Sequence, residues 1–193
     1  MAGRQAKVLT TVQSRTVLTH LSAHRHPQRD ITMFLLSTKA GMRAKEIASV
    51  TWAMVMDAEG RIGDAIHLED RAAKMKSGRF IPMNRELRDA LVELHRQRAP
   101  KPEDTIIYSE RGRSLSPASV VRFFFDLYRK LGFTGCSSHS GRRTFITHAA
   151  RKASMVGGSL RDVMELAGHR SLQTTSRYIE SDTEAKRKLV QMI

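Results

Sequence analysis

A mainly α-helical domain with one small antiparallel β-sheet is the fold the sequence predicts, on three observations. Apolar residues recur at helical spacing in segment after segment, as at Leu87, Leu91 and Leu94. Only two short runs, Ala65–Leu68 and Phe80–Met83, read as strands. The chain has 193 residues and is 40% hydrophobic. That is enough for one core, since a domain of roughly 150 residues already buries about two-thirds of its unfolded surface.

Residues 1–26 are polar and basic, with Arg4, Lys7, Arg15, Arg25 and three histidines, and only a weak pattern in Val8, Val12, Leu18 and Leu21. They read as a basic arm or a loosely docked first helix. Met1–Lys7 leads into Thr and Ser, with no apolar signal segment behind it. From Asp30 the pattern strengthens: Ile31, Phe34 and Leu35 share one helical face, and Gly41 sits where a helix stops. Arg43–Val50 reads as a second short helix with Ile47 and Val50 turned inward and Trp52 just beyond. The two strands flank Lys76-Ser77-Gly78, the expected hairpin turn, and Pro82 falls at a strand end.

Asn84 caps a helix running to about Arg98. Ser116-Pro117 opens another, with Val120, Val121, Phe124, Leu127 and Leu131 inward and Gly132 as its stop. Helices follow over Ser140–Lys152 and over Ser159–Ala167, the latter with a Ser159/Asp162 capping box and a stop at Gly168. A last helix starts after Ser171 and carries Tyr178. The domain is expected over 27–181, with 182–193 as a C-terminal tail in which Leu189, Val190 and Ile193 follow Lys186-Arg187-Lys188.

Thirty-three Lys and Arg against 19 Asp and Glu give a net charge of +14, which calls for a polyanionic partner. Duplex nucleic acid fits best, because each neutralised phosphate releases a condensed counterion. Aromatics are only 6% of the chain, too few for a single-strand stacking platform. The cations form no dense juxtamembrane cluster, and no membrane partner is expected. The single cysteine, Cys136, excludes an internal disulfide framework, so a reducing cytoplasm is the expected compartment. Cys136, His139 and His148 match no standard zinc spacing, and neither a metal site nor a cofactor is expected.

Four separated segments each offer a cation or a proton donor. Arg43 stands at a turn-to-helix junction, and Lys74 lies near the hairpin turn. His139 and Arg142 are three apart and project from one helical face, while His169 follows Gly168 at a helix stop with Tyr178 nine residues on. These groups can break a phosphodiester without metal. Two arginines clamp the non-bridging oxygens with planar donors that stay charged near neutral pH. In comparable sites each such donor is worth roughly 3 kcal/mol of barrier. A phenol, titrating near ~10, needs a cationic field and a base to attack. Taken singly, Arg43 is a surface ion-pair residue, either histidine a structural one, and Tyr178 a packing residue. Only their joint register makes a site.

The segments GMRAKEI, KMKSGRFIP, HSGRRT and AGHRSLQTTSRY together closely resemble the tyrosine recombinase (phage integrase) family. They match it in order and spacing from about residue 28 to 180. The resemblance implies the catalytic-domain fold of that family, with Arg43, Lys74, His139, Arg142, His169 and Tyr178 as catalytic residues. Lys74 is selected because it lies eight residues before Pro82, and Glu46 is the acidic residue that follows the first arginine.

Tyr178 would attack the scissile phosphate to give a 3′-phosphotyrosyl link and free a 5′-hydroxyl. Arg43, Arg142 and His169 would bind the phosphate oxygens. Lys74 would protonate the leaving oxygen, and His139 would assist proton movement at Tyr178. Neither ATP nor metal is implied. Lys76, Arg79 and Arg143 are read as DNA-backbone cations. Double-stranded DNA is the implied partner, with a homotetramer on two sites and a monomer when free.

Two positions depart from the family pattern. Gly141 stands where leucine is common, and Arg143 where a second histidine is frequent. A helical glycine costs about 1 kcal/mol, so a late start or a bend is expected there. The separate N-terminal domain of many relatives does not fit in about 26 residues, which suits a compact recombinase or a truncated integrase. Two alternatives stand beside the recombinase reading: a type IB topoisomerase-like enzyme, and a non-catalytic DNA-binding remnant of an integrase.

Overall fold

The computed structural model describes residues 5–69, 78–178 and 190–191. Helix α2 (Pro27–Lys39) begins where Pro27 opens a turn with no N–H to lose and Asp30 faces the helix N-terminus. All its residues from Thr32 to Thr38 are buried. It is therefore the axis of the core, where its apolar pattern alone implies a one-faced helix. Thr32 and Thr38 donate their hydroxyls one turn back, to the carbonyls of Gln28 and Phe34 at 2.8 and 3.0 Å. Helices α4 (Arg85–Arg98) and α6 (Ser140–Lys152) pack on α2, and α5 (Pro117–Lys130) packs on the short α3 (Ala44–Ser49). Trp52, Phe34, Phe124 and Tyr128 are the largest side chains of the main core.

The segment 1–26, read as a basic arm or a loosely docked first helix, forms a helix over its described part and is packed more firmly than either reading expects. Helix α1 (Thr11–Ser22) carries a Thr10/Gln13 capping box, and Leu9, Val17 and Leu21 are wholly buried in the main core. The Leu9 amide donates to Thr144 Oγ1 on α6 at 2.8 Å. The inward stripe is Val17 and Leu21, an i, i+4 pair, whereas Val12 is 71% exposed. This segment belongs to the domain.

Strands β1 (Ala65–Leu68) and β2 (Arg79–Pro82) pair antiparallel, with Ala65 opposite Pro82 and Leu68 opposite Arg79. Pro82 closes its strand, where a missing donor costs the ladder least. The hairpin residues 70–77, with Lys74 and Lys76, lie outside the described residues, as does most of the tail 182–193. Val121, expected inward, is 44% exposed, because the buried stripe of α5 is Val120, Phe124, Leu127 and Tyr128. Among the described residues no helix is long and apolar enough to cross a membrane.

Gly141 neither delays nor ends its helix. α6 starts at Ser140, one residue earlier, and Gly141 is where α6 meets α2. A Cβ there would fall 2.2 Å from Ser37 Oγ and 2.9 Å from Ser37 Cβ, so only glycine permits this approach.

Beyond α6, helices α7 (Leu160–Ala167) and α8 (Leu172–Ser176) form a second, much smaller core. Ile146, Val163 and Ala167 are its buried centre, with Phe145, Leu160 and Tyr178 packed around them. The Ser159/Asp162 capping box opens α7, and Gly168 closes it in the left-handed region at φ 61°. Tyr178 lies past the end of α8, in a turn, where the sequence puts it on the helix.

Candidate active site

The C-terminus of α7 organises the site. A helix leaves its last carbonyls without intrahelical partners, at the negative end of its dipole. Three arginines from three different elements donate to three successive carbonyls there. Arg79 Nε, from β2, reaches Leu166 O at 2.9 Å. Arg142 Nη2, from α6, reaches Ala167 O at 2.7 Å. Arg43 Nη2, from the N-cap of α3, reaches Gly168 O at 3.3 Å. Arg142 also donates to Gly41 O at 2.6 Å, which pins it to the turn ahead of Arg43.

So many like charges need a counter-charge, and Glu46 supplies it. The Glu46 side chain is fully buried. It accepts from Arg43 N and Nη1 at 2.8 Å each, and from Arg79 Nη1 and Nη2 at 3.0 Å each. Burial alone would raise its pKa, but the hydrogen bonds and charges of Arg79 and Arg43 pull it down to about 2. Arg142, 3% exposed, is brought below the usual arginine range to about 10, by burial first and then by Arg43. It still carries its charge at neutral pH.

His169 follows Gly168 directly. Its Nδ1 lies 2.9 Å from Thr175 Oγ1, and the Thr175 side chain is buried. Burial, then Arg142, Arg43 and Arg79, lower the His169 pKa to about 4. The ring is therefore neutral at physiological pH. The contact with Thr175 ties the hydroxyl's direction to the ring tautomer: in the tautomer where Thr175 donates to Nδ1, the ring proton sits on Nε2 and is left as a donor. The Tyr178 ring stacks on His169, centroids 5.5 Å apart, and the Arg143 guanidinium lies 5.8 Å from the Tyr178 centroid. The Tyr178 amide donates to Thr175 O at 3.0 Å, and its carbonyl accepts from Thr147 Oγ1 at 3.3 Å. A cleft of about 360 Å³ opens between His139, Arg142, Arg143 and Tyr178, rimmed by Gln5 and Ala6.

Of the predicted catalytic residues, Arg43, His139, Arg142, His169 and Tyr178 come together here; Lys74 lies outside the described residues. Among the DNA-backbone cations, Lys76 is also outside them. Arg143 lines the cleft and pairs with the Gln5 side chain. Arg79, read as a DNA-backbone cation, has a side chain only 6% exposed, and its guanidinium faces Glu46. Thr175, Thr147 and the carbonyls of 166–168 were missed. Thr175 is legible only as one of several small polar residues in LQTTS, and backbone carbonyls leave no mark in a sequence.

The chain is 36% identical over 109 residues to tyrosine recombinase XerC of Rhizobium meliloti (strain 1021), covering 54% of this chain and 33% of that protein. It is 29% identical over 170 residues to XerC of Bacillus subtilis (strain 168), covering 82% and 51%. Thus it spans about half the length, or less, of these relatives. Among solved structures, the Tn1549 transposon integrase in complex with a circular intermediate DNA shares the fold. That match has a TM-score of 0.75 at 18% identity and covers 100% of this chain and 67% of that one. The family model described as "Phage integrase family" matches residues 7–185, nearly the whole chain including α1, and the protein belongs to that family.

Proposed function

We propose that this chain is the catalytic part of a site-specific DNA recombinase that cuts and rejoins strands through Tyr178. The Tyr178 oxygen attacks a scissile phosphorus. One P–O bond to the 5′ oxygen breaks as one P–O bond to tyrosine forms, and the 5′-hydroxyl of a partner strand later reverses the exchange. The exchange balances without nucleotide hydrolysis. Arg43 and Arg142 bind the non-bridging oxygens, and His169 donates from Nε2. His139 takes the phenol proton, and Lys74 supplies the one that leaves with the 5′ oxygen. The partner is duplex DNA, engaged by a homotetramer on two sites, in the cytoplasm.

The observation that carries this reading is the α7 terminus. It gathers two of the proposed phosphate-binding arginines onto adjacent carbonyls, and the next residue is the histidine on which Tyr178 stacks. A nicked duplex that loses its 5′ fragment on cleavage traps the intermediate. The wild-type chain is expected to form a protein–DNA adduct that survives denaturing electrophoresis and disappears in Tyr178→Phe. An adduct of equal yield in the Phe variant would assign the nucleophile elsewhere. No adduct on any tested site, from a chain that binds the same duplex, would favour the remnant.

A further inference from the structure

Of the two predicted DNA cations among the described residues, Arg79 is the one whose side chain is withdrawn from solvent, and its hydrogen bonds join parts of the site that are far apart in sequence. Its two Nη atoms hold both oxygens of Glu46, the carboxylate that also fixes the backbone and guanidinium of Arg43. Its Nε holds Leu166 O, two residues before Gly168 and three before His169. Gly168 packs on the same side chain: a Cβ there would meet Arg79 Cδ and Nη1 at 3.0 Å. Arg79 itself is fixed by strand pairing to Leu68.

We infer that Arg79 is a positioning residue, gripping Glu46 and the α7 terminus so that Arg43 and His169 are held in one frame, and that it makes no contact with DNA. This rests on the phosphoryl-transfer reading above.

Arg is the side chain for the task because its planar fork meets a carboxylate with two parallel donors and still presents Nε at right angles to the stem. A lysine at 79 keeps the charge but offers one nitrogen for partners on two elements. With Glu46 then half-held, Arg43 is free to turn away from Gly168 O, and the turn at Gly168 loses one of its three cationic ties.

The test compares the full wild-type chain with Arg79→Lys, Arg79→Met, Glu46→Gln and the double variant Arg79→Met/Glu46→Gln. Each is assayed for duplex affinity across a salt series and for the single-turnover rate of adduct formation on the nicked duplex. Arg79→Lys and Arg79→Met are expected to slow adduct formation at least tenfold, while affinity stays within twofold of wild type and its salt slope is unchanged. If Arg79 works through Glu46, adding Arg79→Met to Glu46→Gln costs far less than Arg79→Met costs the wild-type chain.

An unchanged rate in Arg79→Lys overturns the inference. So does a salt slope shallower by about one phosphate contact, which would return Arg79 to the DNA. Fully additive costs overturn the route through Glu46. Far-UV circular dichroism identifies a variant that does not fold. If Arg79→Met is one, Arg79→Lys alone and paired with Glu46→Gln carries the same comparison. Failure of wild type to form adduct on a duplex it binds is the distinct signature of failure of the functional reading.

Discussion

Arg142 and Tyr178 line the same cleft, but they are held in different ways. Arg142 sits in a 13-residue helix packed on the central α2 and donates to carbonyls on two other elements. Tyr178 follows a five-residue helix, and its ring rests on His169 at the edge of a three-residue core. One half of the site is braced by main-core packing and a buried ion network; the other hangs on a small satellite cluster. The contrast has a chemical logic. Charge-binding groups act best when they are aimed before the reaction and need no reorganisation. A nucleophile that becomes covalently joined to DNA and is later released must follow the phosphate, and local opening draws on the least packed elements.

The strongest way to break this contrast is Arg142→Ala. It removes a proposed phosphate donor together with the ties to Gly41 O and Ala167 O. Adduct formation should fall by about 10²–10³, the usual cost of one preaimed donor. Because two carbonyls lose a charged donor, unfolding free energy should also fall by about 2–3 kcal/mol. Urea titration read beside the cleavage assay checks both, and an Arg142→Ala chain as stable as wild type would mean the brace is not structural. Next in size is Gly141→Ala, which drives a Cβ into Ser37 and should cost about 1–3 kcal/mol as an overpacking change. Gly141→Ala/Ser37→Gly should recover much of that loss, since the two positions collide directly. Additive losses would show that the strain lies elsewhere.

Much of the fold was legible because its signals are local. Asn84, Ser116-Pro117, Ser159 with Asp162, and Gly168 each cap a helix with atoms only a few residues away, and all four fall where the sequence puts them. The proposed catalytic set comes from resemblance, from motifs whose order and spacing are fixed along the chain, and all of it but Lys74 falls among the described residues of one site. What could not be read depends on a partner far away in sequence. Arg79 looks like a surface cation until Glu46, 33 positions away, is seen beneath it. Gly141 looks like a helix defect until Ser37 is seen across from it. The N-terminal segment looks like an arm or a loosely docked helix because its buried side chains are few and their partners lie in distant parts of the chain, such as Thr144, 135 positions from Leu9.

On the lightly held side, Thr175→Val removes the hydroxyl at His169 Nδ1 while keeping the buried shape. The loss is one hydrogen bond, about 1 kcal/mol, and falls on the rate by leaving the imidazole free to change tautomer. Adduct formation should slow by about three- to tenfold with duplex affinity unchanged. A weakened affinity with an unchanged rate would place Thr175 in DNA binding instead.

The smallest effect separates the two halves by pH. His169 titrates at about 4 in the folded chain against an ordinary 6.5, and Glu46 at about 2 against 4.5. Both folded values are depressed, so in both cases the unfolded chain binds more protons and stability falls as pH falls. The windows differ: the His169 contribution is complete above 6.5 and is lost as pH drops toward 4, whereas the Glu46 contribution is lost only between 4.5 and 2. His169 is half-buried, so after allowance for solvent screening its share is about 1 kcal/mol.

Burial and basic neighbours also lower His148, as burial and Lys130 lower His20, so the wild-type slope in this window is a sum. The His169 share is the difference between wild type and His169→Gln in urea unfolding at pH 7 and pH 4.5. The variant should lose less stability over that interval. Equal losses would mean that the imidazole is not held neutral by burial and by Arg142, Arg43 and Arg79, and the cationic field proposed to work on the phosphate would not reach the tyrosine's neighbour.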